Sequence, residues 1–249
     1  RDQKITQPLF AMICIGNSTL SRPSILNHII DRYNDDFIGH VDGYIISVND
    51  FNGRTTSDMP QLLGYAYLVY HLAEYKPVIV KRIDGFGEVL CAIGAVAFSS
   101  GLATSETYSS KDQEGDPKRK ALRRVYVPEI FDYLNDEEAK KVGYLCHKES
   151  SPTGTHPEAH LVKTKHYFHN KLERAQKMQS LNQGQRIDFM LSEIAKGKKL
   201  AAEWTNKYAI PQKFIHARRW EDVLTRARLW KPSKQNDADL AKLLNELDQ

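Results

Sequence analysis

Between residues 8 and 110 the chain repeats one pattern: a short apolar run that ends in polar residues or glycine, then a longer amphipathic segment. Leu9–Gly16 (LFAMICIG) is apolar throughout and too short for an independent helix, which predicts a central strand buried on both faces of a parallel sheet. Arg22-Pro23 opens a helix near Ser24, with Ile25, Leu26, Ile29 and Ile30 at helical spacing up to Tyr33, and Asn34-Asp35-Asp36 ends it. The second unit has a strand over Val41–Val48, a polar loop over Asn49–Thr56 and a helix over Met59–Tyr75. The third has a strand over Val78–Ile83, a loop carrying Gly85 and Gly87, and a short helix over Glu88–Gly94. That helix leads into the strand segment Ala95–Phe98, which Ser99-Ser100-Gly101 closes. Strands separated by helices need crossover connections, so the sheet is parallel and the fold class is α/β. Gly16 is followed by Asn17-Ser18-Thr19 and not by a glycine-rich turn. The dinucleotide fingerprint is therefore missing, which favours a (β/α) barrel or partial barrel over an open doubly wound sheet.

The remainder of the chain differs in character. Ser109–Arg124 is polar and charged and reads as an exposed excursion. Val125–Val127 predicts one more strand, Pro128–Val142 a helix with an acidic start, and Ser150–His156 a linker. Helices are expected at about 160–178, 185–208 and 220–230. A short amphipathic helix follows from Asp237, with Leu240, Leu243, Leu244 and Leu247, able to dock on the body or on a protein partner. This gives a βα domain over 1–149 and a basic helical extension over 150–249. No apolar run is long enough to span a bilayer, and Arg1–Leu20 has no secretory pattern. The three cysteines are odd in number and far apart, which points to a reducing, cytoplasmic setting, with Cys14 and Cys91 as core residues. A first residue other than Met leads us to expect further barrel strands upstream.

In parallel barrels ligands meet the carboxyl ends of the strands, which makes Asn17, Asn49, Asp50, Lys81, Arg82, Asp84, Ser99, Ser100 and Glu106 candidates. Asp50 and Asp84 are carboxylates at neighbouring strand ends, suited to act as nucleophile, base or orienting group, although both also stand in good turn contexts. Lys81 and Arg82 are adjacent in a strand and should point to opposite faces, so only one is expected to look inward, where it would hold an anion. The net charge of +4 is concentrated in residues 163–234, with clusters at Lys196-Lys198-Lys199 and Arg218-Arg219, a pattern that suits a nucleic acid as partner. His156, His160, His166 and His169 lie downstream of Cys146 and His147 and form the densest set of possible zinc ligands, without the closely spaced cysteine pair of most zinc sites. No G-x-S-x-G elbow, Walker-type loop or H-E-x-x-H helix is present.

Two segments resemble the tRNA-guanine transglycosylase superfamily, particularly its archaeal-type and DNA-modifying relatives. One is Lys76-Pro77-Val78-Ile79-Val80 with Gly85, Gly87, Leu90 and Gly94-Ala95, ending in Phe98-Ser99-Ser100. The other is His166-Tyr167-Phe168-His169-Asn170 leading into Lys171–Met178. The resemblance implies a barrel, a base-exchange glycosyltransferase activity on a nucleobase or nucleic acid, and a zinc site involving His169 and Cys146. It also implies two departures: Ser99 stands where the family has its nucleophilic aspartate, and the usual three zinc cysteines are reduced to Cys146. Two roles follow as expectations. One is a transglycosylase-like protein, active through Asp50, Asp84 or Ser99 or catalytically degenerate, that holds nucleic acid through Lys81, Arg82, Lys198, Lys199, Arg218 and Arg219. The other is a non-catalytic scaffold subunit of a nucleic-acid modification or defence assembly. A phosphorylated small molecule held by Lys81 or Arg82 is a third.

Overall fold

In the computed structural model, which describes residues 7–56, 58–100, 124–146 and 157–230, four parallel strands form one sheet. They are β1 (Phe10–Gly16), β2 (Gly43–Asn49), β3 (Val78–Lys81) and β4 (Ala97–Phe98), and their spatial order follows their chain order. Helices α1 (Pro23–Arg32), α2 (Met59–Ala73) and α3 (Phe86–Ile93) connect them. When every crossover steps to the next strand in the same direction and with the same right hand, all the helices fall on one face. The order of the four described strands shows no reversal of the kind a doubly wound sheet has partway, where helices come to cover both faces.

Register and burial agree with this. Ile13, Ile46 and Val80 lie side by side across three strands, and with Tyr44, Val48 and Val78 they are buried. The next residue along, on the opposite face, is open: Met12 is 46% exposed, Cys14 is exposed, and Ile45 and Ile79 are half-buried. Among the described residues nothing pairs with the outer edge of β1 or of β4. The expectation that Leu9–Gly16 forms a central, doubly buried strand is therefore corrected. Among the described residues β1 is an edge strand sealed on one face, and Cys14 lies on its open face. An apolar run has the same composition whether its second face meets helices or faces the interior of a barrel, so the sequence could not distinguish these.

The described residues divide into two compact units, one of residues 7–100 with 222–230 and one of residues 124–146 with 157–221. The first holds the parallel sheet. Its α2 is apolar nearly all round, and Leu62–Leu72 are all buried. Tyr67 and Tyr70 meet the Trp230 ring edge-on, and the Tyr70 hydroxyl donates to the Trp230 carbonyl at 3.1 Å. Phe51, Tyr65 and Phe86 form an aromatic cluster below the carboxyl ends of β2 and β3.

In the second unit, β5 (Arg124–Val127) pairs antiparallel with β6 (Asp132–Asn135), and α4 (Asp136–Lys141) follows. The single helix expected over 128–142 is thus a turn, a strand and a short helix. Phe131 takes φ 51°, which breaks the helix and turns the chain back into the hairpin. The true helix start is the capping box of Asn135 and Glu138. The helices α5 (Pro157–Gln179), α6 (Gln183–Tyr208) and α7 (Ala217–Ala227) match those expected. Tyr126, Tyr133 and Tyr167 join the hairpin to α5, so residues 124–146 pack with the helical segment and not with the βα repeat as a boundary at 149 implied. No helix among the described residues is long and apolar enough to cross a membrane. The excursion up to residue 123, the linker Ser150–His156 and the helix from Asp237 lie outside the described residues, as do Glu106 and His147.

Candidate anion-binding cleft

The open face of the sheet ends, at the carboxyl ends of β1–β3, in a cleft of about 580 Å³. Met12, Cys14 and Ile15 line it from β1, Ser47 and Asn49 from β2, and Lys81 and Arg82 from the end of β3. Strand alternation predicted that Lys81 and Arg82 would diverge. They do not, because Arg82 lies just past the strand at φ 49°, and this left-handed turn brings both cations to the same cleft. Asp50, just past β2, has the same unusual backbone at φ 55°. Non-glycine residues in this region are uncommon, and here two of them follow the ends of adjacent strands.

The three residues expected to carry catalysis each hydrogen-bond to neighbouring loop and strand-end groups. Ser99 Oγ accepts the Arg82 amide at 2.9 Å, its carbonyl accepts the Ile83 amide at 3.0 Å, and its amide donates to the Val80 carbonyl at 2.8 Å. It staples the end of β4 to the turn that presents Arg82. Asp84 is fully buried: Oδ1 accepts the Phe86 amide at 2.9 Å at the start of α3, and Oδ2 accepts the Arg54 amide at 3.0 Å, tying the loop after β2 to the loop after β3. Beneath it, burial and then the Asp84 charge push the Tyr65 hydroxyl well above the usual phenol range. Asp50 is exposed, its carboxylate accepting the Asn49 side-chain amide at 2.9 Å and its carbonyl that of Asn17 at 3.0 Å. None of the three is among the residues that line the cleft.

Among the described residues the cleft therefore brings together two cations, a hydroxyl, an amide and a thiol, and none of its described lining residues is a carboxylate. Such a set is chemically suited to an anion, which charge and hydrogen bonds to these groups would hold. Asn49, Lys81 and Arg82 were candidates from sequence, whereas Met12, Cys14 and Ser47 were not singled out for this site. Their signal was there: once the sealed face is fixed by Ile13, Ile46 and Val80, the alternate positions must face the other way.

The other expected ligands lie in the second unit. Cys146 is buried and desolvation pushes its thiol up to about 11, with Lys163 opposing the shift. His169 is exposed and its Nε2 lies 3.0 Å from Glu173 Oε1. Among the described residues no three side chains of metal-ligating type come together. Lys198 is paired with Glu221 at 2.6 Å, Lys199 and Arg218 are exposed, and Arg219 is half-buried. With a neutral buried Cys146 and an exposed Cys14, a disulfide reagent at pH 8 is expected to modify Cys14 first and Cys146 only on unfolding. Mass spectrometry after timed quenching checks this, and equal native rates would contradict it.

No protein-family model, curated protein or solved structure matches the chain.

Proposed function

We propose that the four parallel strands and their three connecting helices are part of a closed (β/α) barrel, and that the chain binds a nucleic acid through phosphate contacts from Lys81 and Arg82 at the carboxyl ends of β1–β3. The observation that carries this reading is the convergence of the two cations on one cleft at the ends of consecutive parallel strands, the end at which barrels bind. The open apolar face, and the outer edges of β1 and β4 that no strand among the described residues pairs, support closure by further strands. In this reading the protein is transglycosylase-like in architecture, with base exchange through Asp50, Asp84 or Ser99 lost. The engagement of Asp84 and Ser99 in backbone staples favours a binding or scaffold role over a catalytic one.

The test is binding of a fluorescent single-stranded oligonucleotide across a salt series. Each phosphate contact contributes roughly 0.7 to the slope of log affinity against log salt for a single strand. Lys81→Ala is expected to weaken binding uniformly across sequences and to reduce the slope by about that amount. Salt-independent binding, or an unchanged slope in Lys81→Ala, would sink the proposal.

A further inference from the structure

The second unit holds another cavity, of about 480 Å³, bordered by Glu129, Tyr144, His169, Asn170 and Glu173, with Leu145 as an apolar wall. The chain is built to present Tyr144 there. After α4 the amides of Val142, Gly143 and Tyr144 bond back to carbonyls of the last turn, and Gly143 takes φ +64°, the left-handed helix ending that glycine favours.

Behind Tyr144 lies a hydrogen-bond chain whose proton directions follow from geometry. The Asn170 side-chain nitrogen lies 2.7 Å from the His166 carbonyl oxygen, a bond only the amide nitrogen can donate, which fixes the orientation of the amide. The same nitrogen lies 3.2 Å from His166 Nδ1 and 3.4 Å from Nε2, so it sits over the ring; the Tyr126 carbonyl, which can only accept, places the ring proton on Nε2. Nε2 lies 3.1 Å from the Tyr126 carbonyl and 3.1 Å from the Tyr144 hydroxyl. The hydroxyl proton is then left to point at Glu129 Oε2, 3.5 Å away. Burial and next the Glu129 charge push the Tyr144 hydroxyl well above the usual phenol range, so it remains a donor. Glu129 itself is exposed, and among the described residues it has no ion-pair partner and no lysine or arginine lines the cavity. Glu173 adds a second carboxylate, matched only by His169.

We propose that this cavity binds an organic cation through its guanidinium group, with Glu129 as the ion-pair partner, Tyr144 holding that carboxylate in place and Leu145 covering the ligand's apolar part. A guanidinium presents a planar fork of donors that suits a carboxylate, and among the described residues no lysine or arginine at the cavity is paired with Glu129. The ligand can be a free small molecule or the arginine side chain of a peptide.

Calorimetric titration of the full chain at matched ionic strength with agmatine, and separately with a short arginine-containing peptide, tests the site. Saturable agmatine binding with a dissociation constant on the order of 1 mM or tighter is expected. Glu129→Gln, a change at an exposed position, is expected to weaken it about tenfold or more, equivalent to about 1.4 kcal/mol. Glu173→Gln should weaken it less, and Asp31→Asn on the exposed side of α1 should leave it unchanged. Comparable binding of both probes indicates a free ligand, while peptide binding at least tenfold tighter indicates an arginine side chain; either supports the site. Absence of saturable binding by both, undiminished binding in Glu129→Gln, or binding of guanosine in place of agmatine would overturn it.

Discussion

Asp84→Ala is expected to lower the unfolding free energy by roughly 3–5 kcal/mol, measured by urea denaturation with a two-state fit. The side chain is fully buried and accepts two backbone amides, those of Arg54 and Phe86. A hydrogen bond to a charged group contributes about 1.5–3 kcal/mol, and deleting the acceptor removes both bonds: the buried Phe86 amide loses its side-chain acceptor, while the part-buried Arg54 amide keeps Asn52 Oδ1 at 3.0 Å. Asp84→Asn keeps one oxygen acceptor and should fall between the wild type and the alanine variant. The sign separates two roles. A carboxylate held for catalysis commonly costs stability, so its removal would leave the protein as stable or more stable. A large loss identifies Asp84 as the tie between two loops at the cleft.

Gly64→Ala is expected to destabilise by about 2–4 kcal/mol, despite a gain of roughly 1 kcal/mol in intrinsic helix propensity. Gly64 lies within α2 where the chain after β1 crosses it, and a Cβ at this position would come within 1.8 Å of the Leu20 carbonyl oxygen and 2.8 Å of its carbon. Cβ has no rotamer through which to escape, so the helix or the Leu20 backbone has to move. Leu20 and Leu26 are both fully buried at this crossing, which makes such movement costly. Gly39 is the control: a Cβ there meets nothing within 4 Å, so Gly39→Ala should be neutral or stabilise by up to about 1 kcal/mol. If both alanine variants behave alike, the close approach of Leu20 to α2 is wrong.

The parallel sheet was readable because its strands and helices alternate with different periods. Each expected element over residues 9–98 exists, shifted at its ends by a few residues. The hairpin of β5 and β6 was not readable, because Pro128 and Glu129 imitate a helix start and the reversal depends on Phe131 adopting a left-handed backbone that no side-chain pattern signals. The location of the site at the strand ends was legible, but the division of labour within it was not. Asp50, Asp84 and Ser99 are chemically suited to catalysis in a sequence, yet which way a carboxylate or hydroxyl is turned depends on amides contributed by residues such as Arg54, thirty positions away from Asp84. The convergence of Lys81 and Arg82 depends likewise on one backbone angle. In the second unit His166 and Asn170 stood out as part of a histidine-rich segment, but Tyr144 and Glu129 come from the hairpin and the turn after α4, so that cavity exists only after folding.

Protection of Cys14 locates the nucleic acid most directly. Cys14 lines the cleft with Lys81 and Arg82 and is exposed, whereas Cys91 and Cys146 are buried, so the native protein should take up one equivalent of a maleimide, at Cys14. Labelling is measured by peptide mass spectrometry with and without a saturating single-stranded oligonucleotide at low salt. Binding at the strand ends should slow modification of Cys14 severalfold, with the rate restored in high salt and in Lys81→Ala. Undiminished labelling of Cys14 by a protein that anisotropy shows to be saturated would place the nucleic acid elsewhere and contradict the assignment of the cleft.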